Sequence, residues 1–103
     1  MAVQKLTMQE FDAAVAEGAV LIDFFANWCG PCKMLAPTVH ALAEDTPALK
    51  VYQVDVDAEP ALAAKFRVMS IPTLVLMKNG EVVKTSVGLV SRAQLDEMVA
   101  EVL

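Results

Sequence analysis

The chain has 103 residues, 56% of them hydrophobic, and 13 acidic residues against 8 lysines and arginines give a net charge of −5. This length predicts a single domain over residues 1–103, and the acidic balance with scattered basic residues argues against nucleic acid as a partner. No apolar stretch is long enough to cross a bilayer, and the N-terminus lacks the pattern of a secretory signal, so we expect a cytoplasmic protein.

The first predicted elements are a short strand over residues 3–6 and a helix that follows Thr7. A threonine with Glu10 three residues later is typical of a capping box, in which each side chain binds a free backbone N–H. The helix is predicted to run to about Glu17, because Gly18 is a typical stop.

The run "AVLIDFFA", residues 19–26, is nearly continuous in apolar residues and has the length of a strand. This pattern predicts a central strand that is covered on both faces. Asp23 interrupts the run, so either its carboxyl group is buried or the strand lies at an edge and Asp23 faces water. The apolar residues on both sides favour burial.

The sequence "NWCGPC", residues 27–32, follows that strand. Pro31 suits the first position of a helix, where its missing N–H costs nothing. The spacing of Cys32, Leu35, Val39 and Leu42 then gives the helix an apolar stripe.

Alternating apolar residues predict another strand over residues 49–56, followed by a short helix over 59–66. Residues 71–87 are predicted to form two strands joined at Asn79 and Gly80, a dipeptide that readily adopts the positive φ angles of a tight hairpin.

Ser91, followed three residues later by Gln94, predicts a capped last helix. The resulting order is strand, helix, strand, helix, strand, short helix, hairpin and helix. It predicts an α/β fold in which a parallel βαβ half is joined to an antiparallel half, with helices on both faces of a mixed sheet. The loop at the carboxyl end of the central strand is where ligands meet such a sheet, and both cysteines lie there.

The two cysteines differ in their predicted surroundings. Cys29 precedes the helix, where the free N–H groups and the positive dipole end can stabilise a thiolate, and we expect its sulfur to face solvent. Cys32 lies inside the helix on the apolar stripe, so we expect it to be sheltered, protonated and second to react. Gly30 permits a tight turn and close approach of a substrate, and Pro31 stiffens the loop.

Three uses of the pair are open at this point. A structural zinc site needs two further ligands, and the chain has a single histidine, His40, about two helical turns beyond Cys32. An inert disulfide that closes so small a loop would constrain the unfolded chain little. Reversible redox chemistry is the leading hypothesis, and a binding module that uses the same surface without turnover is the alternative from another class.

The segments "DFFANWCGPCKMLAP", "SIPT", "KNGE" and "VG", in this order and spacing, resemble the thioredoxin family over nearly the whole chain. The resemblance implies a three-layer α/β/α fold with a central mixed five-stranded sheet and four helices. It also implies a monomeric protein disulfide reductase that needs no bound cofactor. A separate thioredoxin reductase, either an NADPH flavoprotein or a ferredoxin-linked enzyme, would recharge it, and proteins with disulfide bonds would be its substrates.

The resemblance also assigns roles to individual residues. Cys29 attacks the substrate disulfide, Cys32 resolves the mixed disulfide, and Asp23 exchanges protons with Cys32 through water. Pro72 matches a cis proline that faces the dithiol. The implied substrate groove is shallow and apolar and consists of Trp28, Gly30, Pro31, Val56, Ser70, Ile71, Pro72, Gly88 and Leu89. Trp28 could instead be a core residue, but its position in a loop favours the surface.

Two positions depart from the common pattern of the family. Phe25 replaces a frequent tryptophan, which preserves bulk but removes an indole N–H. Gln53 stands where many relatives have a lysine near the buried carboxylate. Because a neutral amide favours the ionised acid less than an ammonium group does, we expect a higher pKa of Asp23 here than with lysine at position 53.

Overall fold

Five strands and four α-helices make up the part of the chain that the computed structural model describes, residues 2–103. In chain order they are β1 Val3–Lys5, α1 Phe11–Val15, β2 Ala19–Phe25, α2 Gly30–Asp45, β3 Leu49–Asp55, α3 Pro60–Lys65, β4 Thr73–Lys78, β5 Glu81–Val87 and α4 Arg92–Val99, with a final 3₁₀ turn at Ala100–Val102. The predicted mixed sheet with four helices is confirmed. Within this range, no helix is both long and apolar enough to cross a membrane.

The central strand of the sheet is β2. The strand order is β1-β3-β2-β4-β5, and β2 pairs in parallel with β3 and antiparallel with β4. The first six residues of β2 are buried, Asp23 among them with only 1% of its surface exposed. The edge-strand alternative for Asp23 is therefore wrong, and the predicted burial is confirmed.

Alternate residues of β2 face two separate hydrophobic clusters. Val20, Ile22 and Phe24 pack in the cluster that contains residues of α1 and α3. Leu21 packs in the cluster of α2 and α4 residues. Because side chains of a strand alternate between faces, Asp23 shares the face of Leu21 and lies on the side of α2, the helix that carries Cys32.

The hairpin between β4 and β5 turns at Asn79 and Gly80, as predicted, with φ angles of 50° and 85°. Asn79 also ties the hairpin to the end of the first helix, because its Oδ1 accepts a hydrogen bond of 2.8 Å from the Gly18 backbone N–H. The Asn79 N–H in turn donates to the Gly18 carbonyl at 3.0 Å. The turn is thus held in place by contacts with a residue that is distant in the sequence.

The two predicted capping boxes differ in outcome. At α4, Ser91 Oγ accepts from the Gln94 N–H at 3.1 Å and Gln94 Oε1 accepts from the Ser91 N–H at 2.9 Å, which confirms the box. At α1 the prediction is wrong, because Thr7 Oγ1 donates to Glu10 Oε1 at 2.9 Å and the helix begins only at Phe11. It also ends at Val15, earlier than predicted.

Candidate functional site

The loop that carries both cysteines connects the carboxyl end of β2 to the N-terminus of α2. Cys29 is the N-cap residue of α2, with extended φ and ψ angles of −89° and 111°. Its N–H donates to the Ala26 carbonyl at 3.2 Å, which closes the turn after the strand. The helix begins at Gly30, one residue earlier than predicted, so Cys32 is its third residue and lies on the buried stripe.

Cys29 and Cys32 form a disulfide bond, with their Cα atoms 5.3 Å apart. The Cys32 backbone N–H donates to Cys29 Sγ at 3.2 Å. The sulfur of Cys29 therefore occupies the position of an N-cap acceptor at the positive end of the helix dipole, as the sequence predicts. Across residues 2–103, no three His, Cys, Asp or Glu side chains are grouped so that they could hold a metal ion.

The predicted contrast in exposure between the two cysteines is wrong for the disulfide form. Cys29 is 5% exposed and Cys32 is 4% exposed. Both pack with Ala26 in a small cluster that Phe25, Val56 and Ile71 help to cover. The bond to Cys32 also holds the Cys29 sulfur against the helix, so a position before the helix does not by itself expose it.

The segment opposite Cys29 contains a cis peptide bond between Ile71 and Pro72, which confirms the expectation from the family resemblance. Cys29 Sγ lies 3.8 Å from the Ile71 carbonyl oxygen. Because a disulfide sulfur carries no hydrogen, this is a contact and not a hydrogen bond. The Gly88 N–H donates to the Pro72 carbonyl at 2.8 Å, and this brings the loop after β5, with the half-exposed Leu89, to the same end of the sheet.

Trp28 lies on the surface, 71% exposed, so the surface interpretation is confirmed and the core alternative is wrong. Its indole Nε1–H donates to Asp57 Oδ2 at 2.9 Å. Asp57 in turn is held by a turn in which its N–H donates to Asp55 Oδ1 at 2.9 Å. Asp57 is not among the residues predicted from the sequence, although two aspartates at the end of a strand are a common signal for such a turn.

A depression of about 180 Å³ lies beside the indole and is lined by Trp28, Val56, Val68, Met69, Ser70 and Ile71. Four of these residues belong to the predicted groove. Of the remaining predicted groove residues, Gly30 and Pro31 are exposed at the start of α2, and Pro72 is buried. Val68 and Met69 were not predicted, and their position before the cis proline is the signal that could have identified them.

Asp23 lies on the side of the central strand that faces α2, and its Oδ1 is buried without a hydrogen-bond partner among the described residues. Burial, which disfavours the charged form, raises the pKa of Asp23 from 3.8 to about 6. The side-chain amide of Gln53, directly opposite on β3, lowers this pKa by a smaller amount, although no direct hydrogen bond reaches Oδ1. Burial is the larger of the two effects, so the pKa of Asp23 is raised overall.

A second depression, of about 160 Å³, adjoins Cys32 on this side. It is lined by Phe25, Ala26, Asn27, Cys32, Lys33, Ala36 and Gln53. Gln53, the strand partner of Asp23, and Cys32 therefore border the same space.

Replacement of Gln53 by lysine is expected to lower the pKa of Asp23, because an ammonium group stabilises the neighbouring carboxylate more than an amide does. Gln53→Met, which has similar length but no polar group, should raise the same pKa above that of the parent. Carboxyl NMR titration of the three reduced proteins measures the order. Equal midpoints in all three, or a higher midpoint with lysine, would contradict the assignment of Gln53 as a neighbour that lowers this pKa.

An N-capping Cys-x-x-Cys disulfide at the end of a central strand, opposite a cis proline, defines a thiol–disulfide oxidoreductase. A family model described as Thioredoxin matches residues 2–101. The thioredoxin of Bacillus subtilis (strain 168) is 50% identical over 100 residues, which are 96% of each chain. That of Chlamydia trachomatis serovar D is 46% identical over 99 residues, covering 96% of this chain and 97% of the relative. The chain belongs to the thioredoxin family.

A solved structure supports the same assignment. The crystal structure of a Malassezia sympodialis thioredoxin, Mala s 13, matches this fold with a TM-score of 0.87 and 32% sequence identity, covering 97% of this chain and 90% of that one. The activity of the chain is thiol–disulfide exchange through the Cys29–Cys32 pair. Thioredoxins in general work with a reductase that supplies electrons and with proteins whose disulfide bonds they reduce.

Proposed function

We propose that Cys29 is the nucleophile with which this chain reduces disulfide bonds in other proteins. The observation that carries the proposal is the 3.2 Å hydrogen bond from the Cys32 N–H to Cys29 Sγ at the N-terminus of the 16-residue helix α2. After reduction the same N–H and the helix dipole favour a thiolate over a thiol at this position. A thiolate with a lowered pKa is the activated form of a cysteine nucleophile.

The reaction then has two displacements. The Cys29 thiolate attacks one sulfur of the substrate disulfide, a Cys29–substrate bond forms, and the other substrate sulfur leaves and takes up a proton. Cys32 then loses its proton and attacks Cys29 Sγ, which forms the Cys29–Cys32 disulfide and releases the second substrate thiolate. Two electrons pass from the dithiol to the substrate, and no bound cofactor takes part.

Asp23 is the proposed proton acceptor for Cys32 in the second displacement. A carboxyl group whose pKa lies at about 6 can accept a proton from a thiol and return it near neutral pH. Asp23 lies on the side of the sheet that faces α2, and Cys32 lines the same depression as Gln53, the strand partner of Asp23. Both observations support a proton transfer through water.

The proposed substrate site is the groove defined above. The lining beside Trp28 is mainly apolar, and Ile71 is half-buried with its carbonyl oxygen 3.8 Å from Cys29 Sγ. These features suit an extended segment that pairs with the Ile71 backbone. Access by a protein chain also explains why the Trp28 side chain is left exposed.

Further parts of the function rest on the sequence. We propose that the chain acts as a one-domain monomer over residues 1–103 in the cytoplasm. Its only two cysteines form the redox pair, which suits a reducing compartment. An NADPH flavoprotein or a ferredoxin-linked thioredoxin reductase would return the disulfide to the dithiol.

Alkylation kinetics test the proposed nucleophile. In a Cys32→Ser variant, where only Cys29 can react, we expect the rate of alkylation by iodoacetamide to rise with pH around a midpoint below about 8.5, the value of a free thiol. The same variant unfolded in urea is the matched control and should return to the free-thiol midpoint. A folded midpoint at or above that of the unfolded chain would remove the claim that the helix N-terminus activates Cys29.

A further inference from the structure

Met69 is the most exposed large apolar side chain of the described residues, with 93% of its surface accessible. It precedes Ser70 and Ile71 at the rim of the depression beside Trp28. The other described methionines differ from it: Met77 and Met98 are buried, whereas Met8 and Met34 are 41% and 66% exposed but do not line this depression.

A fully accessible thioether is open to two-electron oxidation by a peroxide. The sulfur lone pair of Met69 attacks one oxygen of hydrogen peroxide, an S–O bond forms as the O–O bond breaks, and a proton shift releases water. The sulfur is oxidised to the sulfoxide and the peroxide is reduced. The flexible apolar side chain thereby becomes a polar one.

We propose that Met69 is a peroxide-sensitive modification site whose oxidation weakens the docking of protein substrates and leaves the dithiol chemistry intact. This inference rests on the proposed use of the groove. A sulfoxide that a docking chain covers must give up its contact with water. Of the side chains that line the depression with Met69, only Ser70 and Trp28 carry a donor, and the Trp28 indole N–H is already bonded to Asp57. Cys29 and Cys32 are unaffected because, as a disulfide, they have no thiolate to oxidise.

The experiment treats the disulfide form with hydrogen peroxide, removes the peroxide with catalase and locates sulfoxides by peptide mass spectrometry. The protein is then reduced with dithiothreitol, freed of it, and mixed in a stopped-flow instrument with insulin or with hydroxyethyl disulfide. We expect Met69 to be oxidised faster than Met34 and the second-order rate constant for insulin to fall about fivefold, with the small disulfide unchanged.

Two substitutions make the result specific, and each variant is compared with its own untreated sample. Met34→Leu, outside the groove, should show the same fall on treatment as the parent. Met69→Leu should show none. An equal fall in treated Met69→Leu, or faster oxidation of Met34 than of Met69, would overturn the proposal.

Untreated Trp28→Ala separates this inference from the function on which it rests. A lower insulin rate for Trp28→Ala, together with an unchanged rate for the Met69 sulfoxide, overturns the proposal and leaves the groove in place. Unchanged insulin rates in both cases show that the groove itself is wrongly assigned, and the inference falls with it.

Discussion

Replacement of Cys29 by serine is expected to lower the rate of protein disulfide reduction about a thousandfold or more, because a serine hydroxyl cannot form the mixed disulfide. In an insulin reduction assay driven by dithiothreitol, the variant should precipitate insulin no faster than dithiothreitol alone. The fold should be preserved, since serine can also accept the hydrogen bond that Cys29 Sγ receives from Cys32 N–H.

Cys32→Ser is the matched variant, and it distinguishes the two cysteines. It should also lose turnover, but it should retain the first displacement and accumulate a covalent adduct with the substrate that dithiothreitol releases. Mass spectrometry of the mixture detects the adduct. An adduct with Cys29→Ser instead would reverse the assignment of the two sulfurs.

The Cys29→Ser variant and the parent protein together address the alternative that the chain is only a binding module. Substrate binding by Cys29→Ser, measured by calorimetry without a reductant, is expected to persist because the groove is unchanged. Substrate binding alone does not decide between the two classes. If the parent protein also failed to accelerate insulin reduction beyond dithiothreitol alone, a binding role would be the better description.

Local rules located most elements of the fold. The hairpin at Asn79 and Gly80 follows from positive φ angles that few other residues adopt, and the box at Ser91 follows from a pattern confined to four residues. The equivalent pattern at Thr7 failed because a turn precedes the helix there. Glu10, the expected partner, instead became the residue before the first helical turn. A short pattern predicts a cap only when the backbone at that point enters the helix directly.

The parts of the site that the sequence alone could not give depend on contacts between distant segments. Burial of Cys29 depends on Val56 and Ile71, and the orientation of the Trp28 indole depends on Asp57. Periodicity carries no information about such pairs. The cis bond before Pro72 was expected only from the family resemblance, since most X–Pro bonds are trans.

Asp23 is the residue for which sequence and structure together link a proton to stability. The run of apolar residues predicted that its carboxyl group is buried, and the structure places it on the central strand with 1% exposed surface. Burial raises its pKa from 3.8 to about 6, so the folded state binds this proton more tightly than the unfolded state does. Between these two values the folded protein holds more protons, and its stability must therefore fall as the pH rises.

Asp23→Asn is expected to stabilise the disulfide form by about 3 kcal/mol at pH 8, since the pKa rises by about two units at 1.36 kcal/mol per unit. The gain should shrink as the pH falls through about 6 and disappear below about pH 3.8, where the aspartic acid becomes neutral in both states. Urea unfolding of parent and variant at pH 4, 6 and 8 measures the free energy of unfolding.

The pH dependence of the difference carries this test, because a change in packing would shift stability equally at every pH. Asp12→Asn, at an exposed position on α1, controls for the loss of one negative charge from a chain of net charge −5. A gain for Asp23→Asn that is the same at pH 4 and pH 8 would show that burial does not destabilise the charged carboxylate. A gain confined to the higher pH would show that the fold gives up stability to keep, on the side of the central strand that faces α2, an acid that can exchange protons near neutrality.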